Sequence, residues 1–153
     1  MKTYTATELL TAYANGERNF SHCNLYCINL SNADLRGANF SWSDLRGANF
    51  SGANLEKADL NNASLRGAIF LGTNLDKAVL DRADLIDANM NSSKLSGAKI
   101  RMADLRGTCL YSANLSLADL RDSVLSGADF RKANLEGTNL KGAILNSTAK
   151  GLK

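Results

Sequence analysis

From Phe20 to Leu145 every fifth residue is large and apolar, a run of 26 positions filled only by Leu, Phe, Met90 and Ile100. All five Phe residues fall in it. Two residues before each centre stands a small side chain: Ala at 17 of the 26 places, Ser43, Ser93, Ser123, Thr73, Thr108 and Thr138 at six more, with Arg18, Cys23 and Ile28 as departures. The residue just before the centre is usually Asn or Asp, as in Asn39, Asp44 and Asn49, and Gly recurs two residues after it, as in Gly37, Gly47 and Gly52. A period of five matches neither a helix nor a strand. A helix built this way would spread Leu around its whole circumference and carry Asn, Asp and Gly in its interior. What fits is a chain that turns a corner every five residues, pointing one large and one small side chain inward and three outward. Gly and Asn near the corner supply positive φ or the side-chain-to-backbone bonds of tight turns. Coils stacked this way pair by parallel bridges about 4.8 Å apart.

A period of twenty lies beneath the period of five. Sorted by twenty, one side holds Leu25, Leu45, Leu65, Leu85, Leu105, Leu125 and Leu145, and another holds Leu35 through Leu135; Phe occurs only on the other two, opposite sides. The repeat Ala33-Asp34-Leu35-Arg36-Gly37 or Ala48-Asn49-Phe50-Ser51-Gly52 resembles that of the pentapeptide-repeat family, and the resemblance runs unbroken over residues 18–147. It implies an all-β solenoid: a right-handed quadrilateral parallel β-helix with four pentapeptides per coil. The 26 centres then make about six and a half coils, a rod about 30 Å long. Because each coil touches only its neighbours, the ends need covers. Residues 1–17 predict an N-terminal helical cap, with a Thr5/Glu8 capping box, Leu9, Leu10 and Tyr13 on one helical face and Gly16 to end it. Leu10 and Tyr13 are expected to cover the first coil around Phe20. Residues 148–153 read as a polar tail.

Composition narrows the function classes. The 153 residues suit one domain. A formal net charge of +3 favours neither nucleic acid, membrane nor acidic substrate, and nucleic acid is not an expected partner. The absence of Pro suits a backbone that donates ladder hydrogen bonds along nearly its whole length. No apolar run approaches a membrane span, no secretory signal is visible, and three cysteines form no disulfide framework, so the default expectation is a reduced, cytoplasmic setting.

Most residues that resemble chemistry are repeat filler. Seven of the eleven Asp residues occupy the slot before the centre, where they alternate with Asn, so the demand is for a short polar side chain and not a catalytic carboxylate. His22, Cys23 and Cys27 have the look of a metal cluster but lack a fourth ligand, and Cys23 takes an inward small slot; a Cys23–Cys27 disulfide stays open. Gly recurs without a phosphate-binding fingerprint. No catalytic residue, metal or cofactor is assigned, and an enzyme is not expected. The candidates are outward departures from the repeat. Ile69, Leu71, Cys109 and Tyr111 form an apolar stripe fit for a partner or a second copy. Arg101, Arg121 and Lys141 form a basic ladder, eased by Asp119 and Asp122. Trp42 stands in an outward slot near His22 and Asn62.

Two functional readings follow. The first is a non-enzymatic interaction scaffold for a protein partner, a role the resemblance implies. The stretch from Leu9 to Phe20 is similar to the N-terminus of cyanobacterial members that regulate cell differentiation. The second is the family's DNA mimics, which protect topoisomerase from inhibitors and carry a strongly acidic surface. A net positive chain speaks against that alternative.

Overall fold

The computed structural model describes residues 1–152; residue 153, the last of the expected tail, lies outside the described residues. The backbone forms a four-sided coil in which residue i bridges residue i+20 in parallel, from Asn19↔Asn39 to Val124↔Ile144. Each bridge in that run falls on the slot before a centre. A corner every five residues leaves each side room for one bridge, so the rod is a stack of single bridges and not of long strands. The two-residue strands are β1 (Lys2–Thr3) and β2 (Cys23–Asn24), which pair in parallel.

The corners explain the Gly positions. The centre's C=O accepts from the N–H three residues on, as in Ala33 to Leu30 at 3.2 Å. Every corner residue from His22 to Gly142 has φ between 54° and 74°. This is the type II pattern, with the left-handed residue third. Fifteen non-Gly residues also hold that conformation. Each costs about 1–2 kcal/mol of backbone strain, which the ladder bonds on either side offset.

The Asp/Asn slot has a related cause. Its side-chain oxygen accepts the N–H two residues on, 2.9 Å for Ser41 to Asn39 and 3.2 Å for Arg46 to Asp44. This is an Asx turn, open to Asn and Asp alike. Where the slot holds Lys94, Lys99 or Cys109, the N–H that would be orphaned bonds instead to the coil above. Ser96 reaches Asp76 at 2.9 Å, Arg101 reaches Asp81 at 2.9 Å and Tyr111 reaches Asn91 at 3.0 Å. Asn61 occupies the matching place above Asp81, where the slot holds Val79, and its buried Oδ1 has no partner among the described residues.

Inside, the centres from Phe20 to Phe130 are fully buried, with Ala beside them. Phe40 and Phe50, from opposite sides, meet edge-on at 6.0 Å, and Phe50 stacks on Phe70 at 5.2 Å, so Phe on opposite sides fills the middle of the coil. The buried hydroxyls are satisfied: Ser43 donates to the Phe20 carbonyl at 2.8 Å and Thr73 to that of Phe50 at 2.7 Å.

At the N-terminal end, α1 (Ala6–Ala14) begins with the Thr5/Glu8 capping box. Its covering residues differ from expectation. Leu9, not Leu10, is the buried one, and Leu10 is 37% exposed. Tyr4 meets Phe20 edge-on at 5.5 Å, placed there by β1. Tyr13 packs at the edge of the core, and its hydroxyl donates to the Arg36 carbonyl at 2.8 Å. That carbonyl would otherwise accept from a preceding coil. At the other end the tail is not merely polar: Lys150 bridges Asp129, and Leu152 packs against the core.

Candidate interaction surface

Part of the outward surface is neutralised by its own geometry. In five repeats an Asp before the centre pairs with an Arg after it: Asp34–Arg36, Asp44–Arg46, Asp104–Arg106, Asp119–Arg121 and Asp129–Arg131, at 2.6–2.7 Å. The pairing is two-pronged, since Nε and Nη2 each reach the carboxylate and lay the guanidinium flat along the rod. The Arg side-chain bonds hold these carboxyls below the usual range, Asp129 at about 2. A depressed folded-state pKa means the contribution is present above the unfolded value and lost as pH falls. The melting temperature of the wild type is therefore expected to hold down to about pH 4 and to fall from there toward about pH 2. Asp129→Asn should fall less steeply across that window, and parallel curves would show that the pair adds no pH-dependent stability.

The basic ladder is paired at two of its three positions. Arg101 is paired with the nearly buried Asp81 of the coil above, and Arg121 with Asp119; the third member, Lys141, has no ion pair with any described residue. Asp122 forms no ion pair with Arg121. The apolar stripe is interrupted. Ile69 and Leu71 share a side with Cys109 and Tyr111, but Asn89 and Asn91 lie between them, and Asn91 is tied to the Tyr111 N–H. Leu71 is 47% exposed, Ile69 and Tyr111 are half-buried, and Lys132 lies over the Tyr111 ring at 5.2 Å. Cys23 is a buried free thiol, its pKa raised by that burial, and Cys27 is an exposed free thiol on an outward corner.

Trp42 gathers more than the sequence showed. Its ring is 55% exposed and lies parallel to that of His22, one coil above, at 6.2 Å. On the same side, Tyr26 is 61% exposed, with the Arg46 guanidinium 5.6 Å from its ring centre. Between Trp42 and Arg46 lies a shallow hollow of about 280 Å³, bordered by Met1 and Asp44 and floored by Asn62 and Ser64. Nothing in the sequence singles out Tyr26 and Arg46, since both sit in ordinary outward slots. Only stacking in columns of twenty sets them beside Trp42. A second hollow, of about 540 Å³, opens beside Tyr13 and Arg18, with Arg36 and Lys57 on its rim. Among the described residues no group of His, Cys, Asp or Glu side chains is arranged to hold a metal, and no helix is long and apolar enough to cross a membrane.

Fold and surface together define a repeat solenoid: a rigid four-sided rod that presents columns of side chains. Pentapeptide repeats, in eight copies, match residues 19–52, 43–82, 73–116 and 108–146. The chain belongs to the pentapeptide-repeat family, which supports a right-handed β-helix. It is similar to Rfr23, a pentapeptide repeat protein of the cyanobacterium Cyanothece 51142, at 25% identity and a TM-score of 0.60, covering 94% of this chain and 97% of that one. It is also similar to AT2G44920, from the Arabidopsis thaliana thylakoid lumen, at 29% identity and a TM-score of 0.63 over 65% of this chain and 69% of that one. A Synechocystis sp. protein, slr1851, is 57% identical over 35 residues, which is 23% of this chain and 22% of that protein.

Proposed function

We propose that the protein is a non-enzymatic interaction scaffold that binds a protein partner through the side carrying Trp42, Tyr26 and Arg46. The observation that carries this reading is the exposed cluster itself. Trp, Tyr and Arg are the residue types that dominate binding energy at protein interfaces. Here they stand together on a rigid backbone, so little order is lost when a partner docks. Arg46 is already held flat by Asp44, and Trp42 is steadied by His22. The alternative of a DNA mimic would need excess carboxylate on the surface. Instead, the ion pairs consume Asp in equal measure with Arg, and the chain is net positive.

The test is capture of partners from a host lysate on immobilised protein, comparing the wild type with Trp42→Ser plus Tyr26→Ser. Both side chains are exposed, so the doubly changed rod should melt at nearly the wild-type temperature. At least one protein retained by the wild type should be lost from the variant. If the two retain the same set, this side is not the binding surface. If the protein shields a topoisomerase from its inhibitor in a supercoiling assay, the DNA-mimic reading replaces this one.

A further inference from the structure

Charge is missing from one side of the rod. On the side centred on Leu30, Phe50, Phe70, Met90 and Leu110, none of the fifteen outward residues is charged. Counted over five coils from Leu25, Leu35 and Phe40, the other three sides carry seven, seven and eight charged residues, so the gap is not a matter of composition. Charged residues are what the buried centre of a protein interface lacks most. The side is also stiff. Phe50 donates to Ile69 at 2.7 Å and Phe70 to Asn89 at 2.6 Å across it, so little order is lost when it is covered.

Each coil of this side sets two outward side chains astride its centre, and the two match in kind. Both are polar in the first, second and fourth coils, as with Asn49 and Ser51. In the third they are Ile69 and Leu71, and in the fifth Cys109 and Tyr111. In the sixth, where charge returns, they are the opposite pair Asp129 and Arg131. Covering the Asn residues leaves few groups to satisfy. The Oδ1 atoms of Asn29, Asn49 and Asn89 already accept the N–H two residues on at 2.9–3.1 Å, and that of Asn91 accepts from Tyr111. Only the Nδ2 donors remain, and a Ser hydroxyl can accept from them.

We propose that this side is a self-association face, on which a second copy of the chain packs with its rod parallel to the first. A two-fold axis running along the rods sets the residue before each centre against the residue after the same centre in the second copy. Ile69 then meets Leu71 of the second copy, and Cys109 meets its Tyr111. Asn49 faces Ser51 across the axis and Asp129 faces Arg131, so like charges do not oppose one another. With the rods antiparallel about the coil of Leu71, Cys109 and Tyr111 would instead meet Asn29 and Ser31, and that apolar row would be split. Each of the other sides would have to bury seven or more charges. Over six coils the face offers eighteen outward residues, just short of the roughly 20–30 of a standard interface, so the dissociation constant is expected to be about micromolar. The contact does not use the Trp42 side and stands independently of the reading above.

Sedimentation equilibrium on the full chain over about 1–200 µM is the test. The wild type should pass from monomer to dimer. Leu71→Glu, at an exposed side chain, should weaken association by at least about tenfold, because it sets an unpaired carboxylate against Ile69 of the other copy. Adding Ile69→Lys to it should restore the dimer. In parallel rods positions 69 and 71 face each other and the new charges pair; in antiparallel rods each would face its own kind. All three chains should melt at nearly the same temperature when dilute. A wild type monomeric throughout, a dimer indifferent to Leu71→Glu, or a double variant no better than the single one would each overturn the proposal. So would a monomeric chain that holds a different protein through this side and loses it on Leu71→Glu. The Trp42→Ser plus Tyr26→Ser chain should dimerise as the wild type does, and its failure to do so would move the contact to that side and sink this one.

Discussion

Leu75→Ala is expected to destabilise the rod by about 2–5 kcal/mol, the range for truncating a buried Leu. For a chain of this size that is a fall of roughly 5–15 °C in melting temperature. Leu75 is fully buried in a column between Leu55 and Leu95. The cavity cannot close by moving the backbone. The Leu75 N–H is bonded to Lys94 at 2.7 Å and its carbonyl accepts from Ala78 at 3.0 Å, so the corner is fixed on both sides. The site is also mid-rod. In a solenoid each coil leans only on its neighbours, so a defect there weakens the coupling between two halves, where one near an end merely frays it. Leu71→Ser, one coil side away but 47% exposed, should shift stability by no more than about 0.5 kcal/mol. Equal effects of the two substitutions would place the centres outside the core.

The contrast between Leu75 and Leu71 shows what was legible in the sequence. The inward centres, the small slot beside them and the corner Gly all follow from a local period of five, and the structure buries them accordingly. In the sequence the Asx slot shows only a demand for a short polar side chain; in the structure the demand is an acceptor for the N–H two residues on. What was not legible depends on neighbours twenty residues apart or on no period at all. Asp81 and Asn91 look like ordinary surface residues until Lys99 and Cys109, one coil below, are seen to lack an acceptor of their own. The same columns cut the apolar stripe at Asn89 and Asn91 and neutralise Arg101. β1 is two residues long and has no periodicity to betray it, yet it delivers Tyr4 to Phe20 and leaves Leu10 outside. The Trp42 site lay between these cases. The Trp was evident as a departure, and its companions Tyr26 and Arg46 only became so through stacking.

The second large effect follows from the coil itself. Removal of residues 73–92, one whole coil, joins Gly72 to Ser93 with every remaining column in register. The shortened chain should fold cooperatively and lose about 4.8 Å of length, with some stability forfeited along with the lost interfaces. It should still capture whatever the Trp42 side binds, because Tyr26, Trp42 and Arg46 lie above the cut. Removal of residues 74–92, one residue fewer, shifts every centre below the cut by one place. The residues of the Asx slot, beginning with Lys94, Lys99 and Asp104, would then point where Leu and Phe should, and the lower coils could not stack on the upper ones. Comparing the thermal unfolding of these two excised chains is the most direct test of the account. A single sharp transition for the twenty-residue excision, and none or only a broad one for the nineteen-residue excision, is the predicted result. Two similar curves would contradict a coil of twenty.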